Sequence, residues 1–307
     1  MALHPTLQGF VDAAAKLPPM ESFTPQQVRA GDDARFAAIP RPPVGAVEDR
    51  MIPGPRGEIR IRIYTPEAAA PSLPVITFFH GSGFCICSIE THDGLCRQLC
   101  NRANAVVVSV DYALAPEHKF PAGIEDSIAA TRWVGAHADS LGADPARLVL
   151  AGDSAGGTMA IVSALRLRDE DGPPLAALLL IYPVTNYPDP APPSYPERGE
   201  GCGLTANGMR WFWSHYLRNP AEGVHPDASP LRAETFAGLP PTYVITAEYD
   251  ILRDEGEAFA HRMENDGVDC TLIRYGDMNH GFMSLVGVMD RADEALYAAC
   301  AWLAGRL

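Results

Sequence analysis

The sequence predicts an α/β protein built on an eight-stranded, mostly parallel sheet flanked by helices. Short, continuously apolar runs recur along it: Val75-Ile76-Thr77-Phe78-Phe79, Val106-Val107-Val108-Ser109-Val110, and residues 148–151, 178–181 and 243–246. Runs of this length without polar alternation suit strands buried on both faces of a parallel sheet. Helical stretches separate most of them, at residues 91–103, 123–137 and 157–168, and such alternation argues for right-handed crossovers. With 307 residues, 47% of them hydrophobic, the chain can bury a sizeable core.

The elements before and after this alternation read differently. The first forty-five residues are rich in proline and alanine, with short helical stretches such as 7–17, and do not form a domain of their own. Glu58-Ile59-Arg60-Ile61-Arg62-Ile63-Tyr64 alternates polar and apolar, the pattern of a strand with one wet face. The turn Gly54-Pro55-Arg56-Gly57 precedes it, and residues 47–52 are its expected antiparallel partner. A last strand at 270–275 and a closing helix at 290–307 complete the count. Residues 186–226, proline-rich and then aromatic through Trp211-Phe212-Trp213, interrupt the alternation as an insertion, and long loops in compact domains are usually functional.

Composition excludes several function classes. The formal charge of -14 argues against nucleic acid as a partner and against an anionic membrane surface. No apolar run reaches the ~18 residues of a spanning helix. The N-terminus, Met1-Ala2-Leu3-His4-Pro5, lacks the basic start and apolar stretch of a signal peptide, so a cytoplasmic location is expected. Of seven cysteines, Cys85, Cys87, Cys96 and Cys100 fall close together, a spacing open to metal or redox chemistry. C-x-C and C-x-x-x-C match no standard structural zinc pattern, and reduced, mostly buried thiols are the expectation.

The chemistry centres on Gly152-Asp153-Ser154-Ala155-Gly156, directly after an apolar run and before a helix. A Gly-x-Ser-x-Gly in that setting is a nucleophile elbow, a tight turn that lifts the serine hydroxyl out of the sheet. A serine needs a base to take its proton, and the base needs a third group to hold its tautomer. Asp250 and His280 follow Ser154 in the chain order of α/β-hydrolases, each in a loop just beyond a predicted strand, where open sheets place their sites. Asp250 is also a candidate helix N-cap, and Asp254 and Glu255 are rivals for the acid role, although a turn of helix points them elsewhere. Gly281 beside His280 permits a close backbone approach. An oxyanion needs amide donors: Ala155 follows the nucleophile, and the loop His80-Gly81-Ser82-Gly83 can supply those of Ser82 and Gly83.

These motifs together resemble the hormone-sensitive-lipase-like family of α/β-hydrolases, in particular its bacterial esterases. The resemblance is carried by His80-Gly81-Ser82-Gly83-Phe84, Asp111-Tyr112 with Leu114-Ala115-Pro116-Glu117-His118, Phe120-Pro121-Ala122, residues 152–157, Asp250 to Gly256, and His280-Gly281-Phe282. It implies an α/β-hydrolase core under a small helical cap built from about residues 1–45 and 186–226. It also implies hydrolysis of carboxylic esters through an acyl-serine, with no cofactor or metal, and sometimes a homodimer formed through edge strands or late helices. Two departures stand out: Ser82 replaces the middle glycine of the usual His-Gly-Gly-Gly, and Ala113 replaces an arginine. The Ser82 side chain either crowds the site or offers a further hydroxyl.

The expected substrate is a soluble small-molecule ester of short to medium chain. Phe84, Trp211, Phe212 and Trp213 are candidate pocket walls, with packing between cap and core as the other reading. The same constellation also cleaves amides and lactones. A non-catalytic binding protein on this fold, such as the plant gibberellin receptor, has lost the triad histidine, which His280 supplies here.

Overall fold

The computed structural model describes residues 2–36, 38–68 and 72–307. Met1 and Ala37, in the stretch expected to join the cap, lie outside the described residues. Helices α1 (Pro5–Ala14) and α2 (Pro25–Phe36) precede a hairpin of β1 (Ala46–Gly54) and β2 (Gly57–Thr65). Strands and helices then alternate through β3 (Leu73–Phe79), α3 (Ile89–Ala103), β4 (Val106–Val110), α4 (Ala122–His137), β5 (Ala143–Asp153), α5 (Ala155–Asp169) and β6 (Ala177–Ile181). Two short helices, α6 (Ser194–Arg198) and α7 (Ala206–Tyr216), occupy the long connection to β7 (Thr242–Tyr249). The chain then runs through α8 (Arg253–Asn265), β8 (Cys270–Asn279) and α9 (Asp290–Ala304).

The eight strands lie in the order β1-β2-β4-β3-β5-β6-β7-β8. Strand β2 pairs antiparallel with both β1 and β4, and every later pairing is parallel. Period two sends successive side chains of the central strands to opposite cores. Val75, Val108, Leu148, Leu150 and Leu180 pack toward α4, α5 and α8. Ile76, Phe78, Val107, Val149 and Leu179 pack toward α3 and α9. Both faces are thus covered, which is why these strands read as unbroken apolar runs.

The second face of β2 is wet only at its start, where Glu58 is exposed. Ile59, Ile61 and Ile63 are buried on one side as the alternation requires. On the other, Arg62 is only 12% exposed and pairs with Asp49 at 2.6 Å and with Glu90 at 2.8 Å. Glu90 sits in the first turn of α3, which roofs the strand and meets its polar side with charge. A capping box between Ser88 and Thr91 starts that helix, and Asn104, left-handed at φ 46°, ends it.

The N-terminal segment and the insertion reach the same end of the sheet. Arg29 of α2 donates to Cys85 O and Ala115 O, each at 2.6 Å, and pairs with Glu117 at 2.8 Å. It therefore holds the stretch around Ala113 that lacks the usual arginine. Helix α7 packs against the turn Met20–Ser22.

The tightest steric constraint lies where β5 turns into α5. A Cβ on Gly156 would sit 1.9 Å from Phe79 O, and one on Gly152 would sit 2.3 Å from Gly156 O. Both obstacles are backbone and cannot swing away. Gly156→Ala is expected to destabilise the fold by about 3 kcal/mol or more, read as a lower urea midpoint than wild type.

Candidate active site

Ser154 stands alone between β5 and α5, at φ 54° and ψ -121°. A positive φ is rare for a residue with a side chain and is tolerated where the surroundings enforce it. Here Ser154 N–H donates to Ile181 O at 2.9 Å, while Ser154 O accepts from Val184 N at 3.0 Å and Gly157 N at 2.9 Å. The strained turn is thereby tied to the end of β6, and its hydroxyl projects beyond the strand ends.

His280 follows β8, with its side chain 13% exposed. Its Nε2 lies 2.9 Å from Ser154 Oγ, and its Nδ1 lies 2.7 Å from Asp250 Oδ2. A carboxylate can only accept, so Nδ1 carries the hydrogen and Nε2 is left to receive the serine proton. The Tyr182 ring packs against the imidazole, its centroid 4.7 Å away, and limits its rotation. Gly281 is needed for its φ of 82°; a Cβ there would meet nothing within 4 Å, so the expected close approach is not the reason for glycine.

Asp250, 1% exposed, divides its oxygens between two tasks. Oδ2 faces His280, and Oδ1 accepts from Leu252 N at 2.9 Å, so the residue caps the turn into α8 as well. The rival carboxylates are bound elsewhere. Asp254 accepts from Arg253 and from Ser194 N, each at 2.7 Å. Glu255 Oε1 accepts from Thr185 N at 2.8 Å and Asn186 N at 3.2 Å.

The loop after β3 lies against the serine turn. Gly81 N donates to Asp153 Oδ1 at 2.6 Å, and that carboxylate also holds His92 Nε2 at 3.3 Å. Burial works against the Asp153 charge, but His92 and the Gly81 amide still keep it below the usual carboxylate range. Among the described residues, the Ser82, Gly83 and Ala155 amides have no protein acceptor. Donors so buried and unpaired are ready for a ligand oxygen.

Three comparisons bear on this geometry. A family model described as alpha/beta hydrolase fold matches residues 76–284. The chain belongs to the alpha/beta hydrolase family. The hydrolase is 43% identical over 271 residues to "Esterase LipI" of Mycobacterium tuberculosis, covering 85% of this chain and 83% of that protein. It is 31% identical over 310 residues to "Ethyl acetate hydrolase" of Pseudomonas putida, covering 96% of each. Among solved structures, a hyperthermophilic esterase from Pyrobaculum calidifontis superposes with a TM-score of 0.93 at 40% identity, over 99% of each chain. The resemblance to hormone-sensitive-lipase-like esterases is borne out by these relatives.

The aromatic residues of the hydrolase divide between two roles. Phe84 is 1% exposed and stacks on Tyr216 at 3.9 Å; Trp213, 3% exposed, packs on Phe84 at 5.3 Å. Both belong to a buried cluster that also holds Phe212, so packing describes them. Phe212 lies against Gly83, where a Cβ would come within 2.3 Å of its ring, and the partly exposed Trp211 meets Phe212 edge-on at 5.1 Å. Cys85, Cys96, Cys100, Cys202, Cys270 and Cys300 are free thiols. Burial pushes Cys85 and Cys100 up to about 12, which keeps them protonated. No group of three or more His, Cys, Asp or Glu side chains among the described residues could hold a metal ion.

Several residues that shape this site carry no local signal of the partners they meet. Asp153, Tyr112, His92 and Tyr182 act through partners far away in sequence. Glu255 joins them: it is 2% exposed, and its Oε2 is buried with no partner among the described residues. Burial pushes its carboxyl up to about 8, against the pull of the Thr185 and Asn186 amides. Between the ordinary carboxylate range and that value the folded chain keeps a proton that the unfolded chain has released. Stability therefore falls as pH rises through this window and levels off above it. Glu255→Gln keeps an acceptor for both amides and cannot titrate. Its urea midpoint is expected to change less than that of wild type between about pH 6 and about pH 9.

Proposed function

We propose that this hydrolase is a serine carboxylesterase acting on short- to medium-chain esters, with Ser154 as nucleophile, His280 as base and Asp250 as the acid that orients it. The observation that carries the reading is the continuous hydrogen-bonded chain from Ser154 Oγ to His280 at 2.9 Å and on to Asp250 at 2.7 Å. Named ester hydrolases at 40–43% identity support the reaction class. A relative named for ethyl acetate supports a small ester.

The mechanism follows from the donor directions. Ser154 Oγ attacks the ester carbonyl as its proton passes to His280 Nε2, and the imidazolium is stabilised by the Asp250 carboxylate. The Ser82, Gly83 and Ala155 amides receive the charge that develops on the carbonyl oxygen, each worth about 3–4 kcal/mol in such sites. His280 then returns the proton to the leaving alkoxide. Water repeats the cycle on the acyl-serine, with His280 again as base.

The N-terminal segment and residues 186–226 form the cap over this site in our reading, supported by the packing of α7 on Met20–Ser22. Phe212 and Trp211 wall the pocket beside Gly83. A cytoplasmic setting is supported by the free thiols of Cys85, Cys96, Cys100, Cys202, Cys270 and Cys300. No helix among the described residues is long and apolar enough to cross a membrane.

Hydrolysis of p-nitrophenyl esters from acetate to palmitate tests the reading. Turnover should peak at short chains and fall by several orders of magnitude in Ser154→Ala, with the thermal midpoint within about 2 °C of wild type. A folded Ser154→Ala that retains full activity would sink the assignment. Asp250→Asn should lower kcat by about four orders of magnitude, because the amide can present its donor to Nδ1 and favour the wrong tautomer.

A further inference from the structure

We infer that the Ser82 hydroxyl is a positioning group for the reaction: through Tyr112 it holds the loop of residues 80–84 in the shape that keeps the Ser82 and Gly83 amides free for an oxyanion. The inference rests on the reading of those amides as oxyanion donors.

The proton order follows from the distances. Tyr112 Oη lies 2.6 Å from His80 O, a carbonyl that only accepts, so the single phenolic hydrogen is donated there. Ser82 Oγ lies 2.7 Å from the same phenol oxygen and must therefore donate to it. Phe84 N–H donates to Ser82 Oγ at 2.8 Å. The result is a directed chain, Phe84 N–H to Ser82 Oγ–H to Tyr112 Oη–H to His80 O, that begins and ends in one short loop. Burial of the Tyr112 phenol keeps it protonated and able to donate.

This order decides what the serine side chain does. Its hydrogen is committed to Tyr112, so the hydroxyl is not a further oxyanion donor. Its lone pair instead caps a strained turn: Gly83 has φ 50° and Phe84 φ 67°, and the second is rare for an aromatic residue. A hydroxyl accepting from the amide two residues on is a local bond that favours such a turn. Ser82 is 3% exposed, Phe84 1%, Tyr112 2% and His80 0%, so no bulk water replaces a lost partner. The Tyr112 ring also stacks on His80 at 4.6 Å, which anchors the far end of the chain. Oxyanion donors act by being fixed before the charge develops, so loosening the loop reduces transition-state binding more than substrate binding.

The test uses the intact protein, Ser82→Ala and its best p-nitrophenyl ester. Alanine keeps the amide and removes only the hydroxyl. The expected result is a fall of about tenfold in kcat, with KM within about twofold. A trifluoromethyl ketone of matching acyl chain adds Ser154 Oγ to its carbonyl carbon, the proton passing to His280 and the carbonyl electron pair to oxygen. Its affinity should weaken by the same factor as kcat/KM. Ser82→Gly should lose at least as much, and adding Ser82→Ala to Tyr112→Phe should cost little beyond Tyr112→Phe alone. A lowered thermal midpoint with wild-type kcat and ketone affinity overturns the inference, as does a kcat loss with unchanged ketone affinity. If Ser82→Ala is indistinguishable from wild type while Ser154→Ala is inert, this inference fails and the esterase reading stands. A wild-type protein that turns over no ester overturns both.

Discussion

No side chain fits at Gly156, because the carbonyl of Phe79 occupies the place of its Cβ. That contact brings the end of β3 against the start of α5, and the rest of the site follows from it. The chain leaving β3 must pass directly beside the serine turn, so the loop of residues 80–84 and the Ser154 hydroxyl share one corner. Gly81 repeats the constraint from the other side, since a Cβ there would sit 2.3 Å from the Asp153 carboxylate. At Gly156, backbone against backbone sets a separation that side-chain packing alone could not hold within a few tenths of an ångström.

Two buried carboxylates then use the same arrangement. Each fixes itself on a backbone amide and also holds a histidine. Asp250 takes the Leu252 amide on Oδ1 and His280 on Oδ2, and Asp153 takes the Gly81 amide on Oδ1 while His92 Nε2 lies 3.3 and 3.4 Å from its two oxygens. A buried charge is costly unless its lone pairs are met, and a carboxylate so met is immobile. The first pair fixes the His280 imidazole, and the second anchors the loop opposite.

The segment inserted between β6 and β7 is bonded to the loops bearing both groups. Ser194 Oγ donates to Ile251 O at 2.6 Å, and Arg198 pairs with Glu248 at 2.8 Å, on either side of Asp250. Asn279, next to His280, donates to Cys202 O at 2.9 Å. A change in the insertion is therefore transmitted directly to the loops of Asp250 and His280.

The sequence by itself determined the features that constrain backbone locally. Strands buried on both faces must be unbroken apolar runs, which made β3 to β7 legible, whereas β1 and β2 were legible from alternation around a turn. The turn at Ser154 demands glycines around it, so residues 152–156 stand out, as do Asp250 and His280 from their places just after strands. Only the tertiary structure decided the pairings between distant polar groups. Nothing near Ser82 points to Tyr112, nothing near Asp153 points to Gly81, and nothing in Arg62 foretells the roof of α3 over β2. It also put Phe84, Phe212 and Trp213 in one buried cluster, with Phe212 against Gly83. Steric demands at a turn are met within a few residues and leave a mark in the sequence. A hydrogen bond across thirty or seventy residues needs only a polar atom at each end, and which atoms meet is set by how the sheet and helices bring them together.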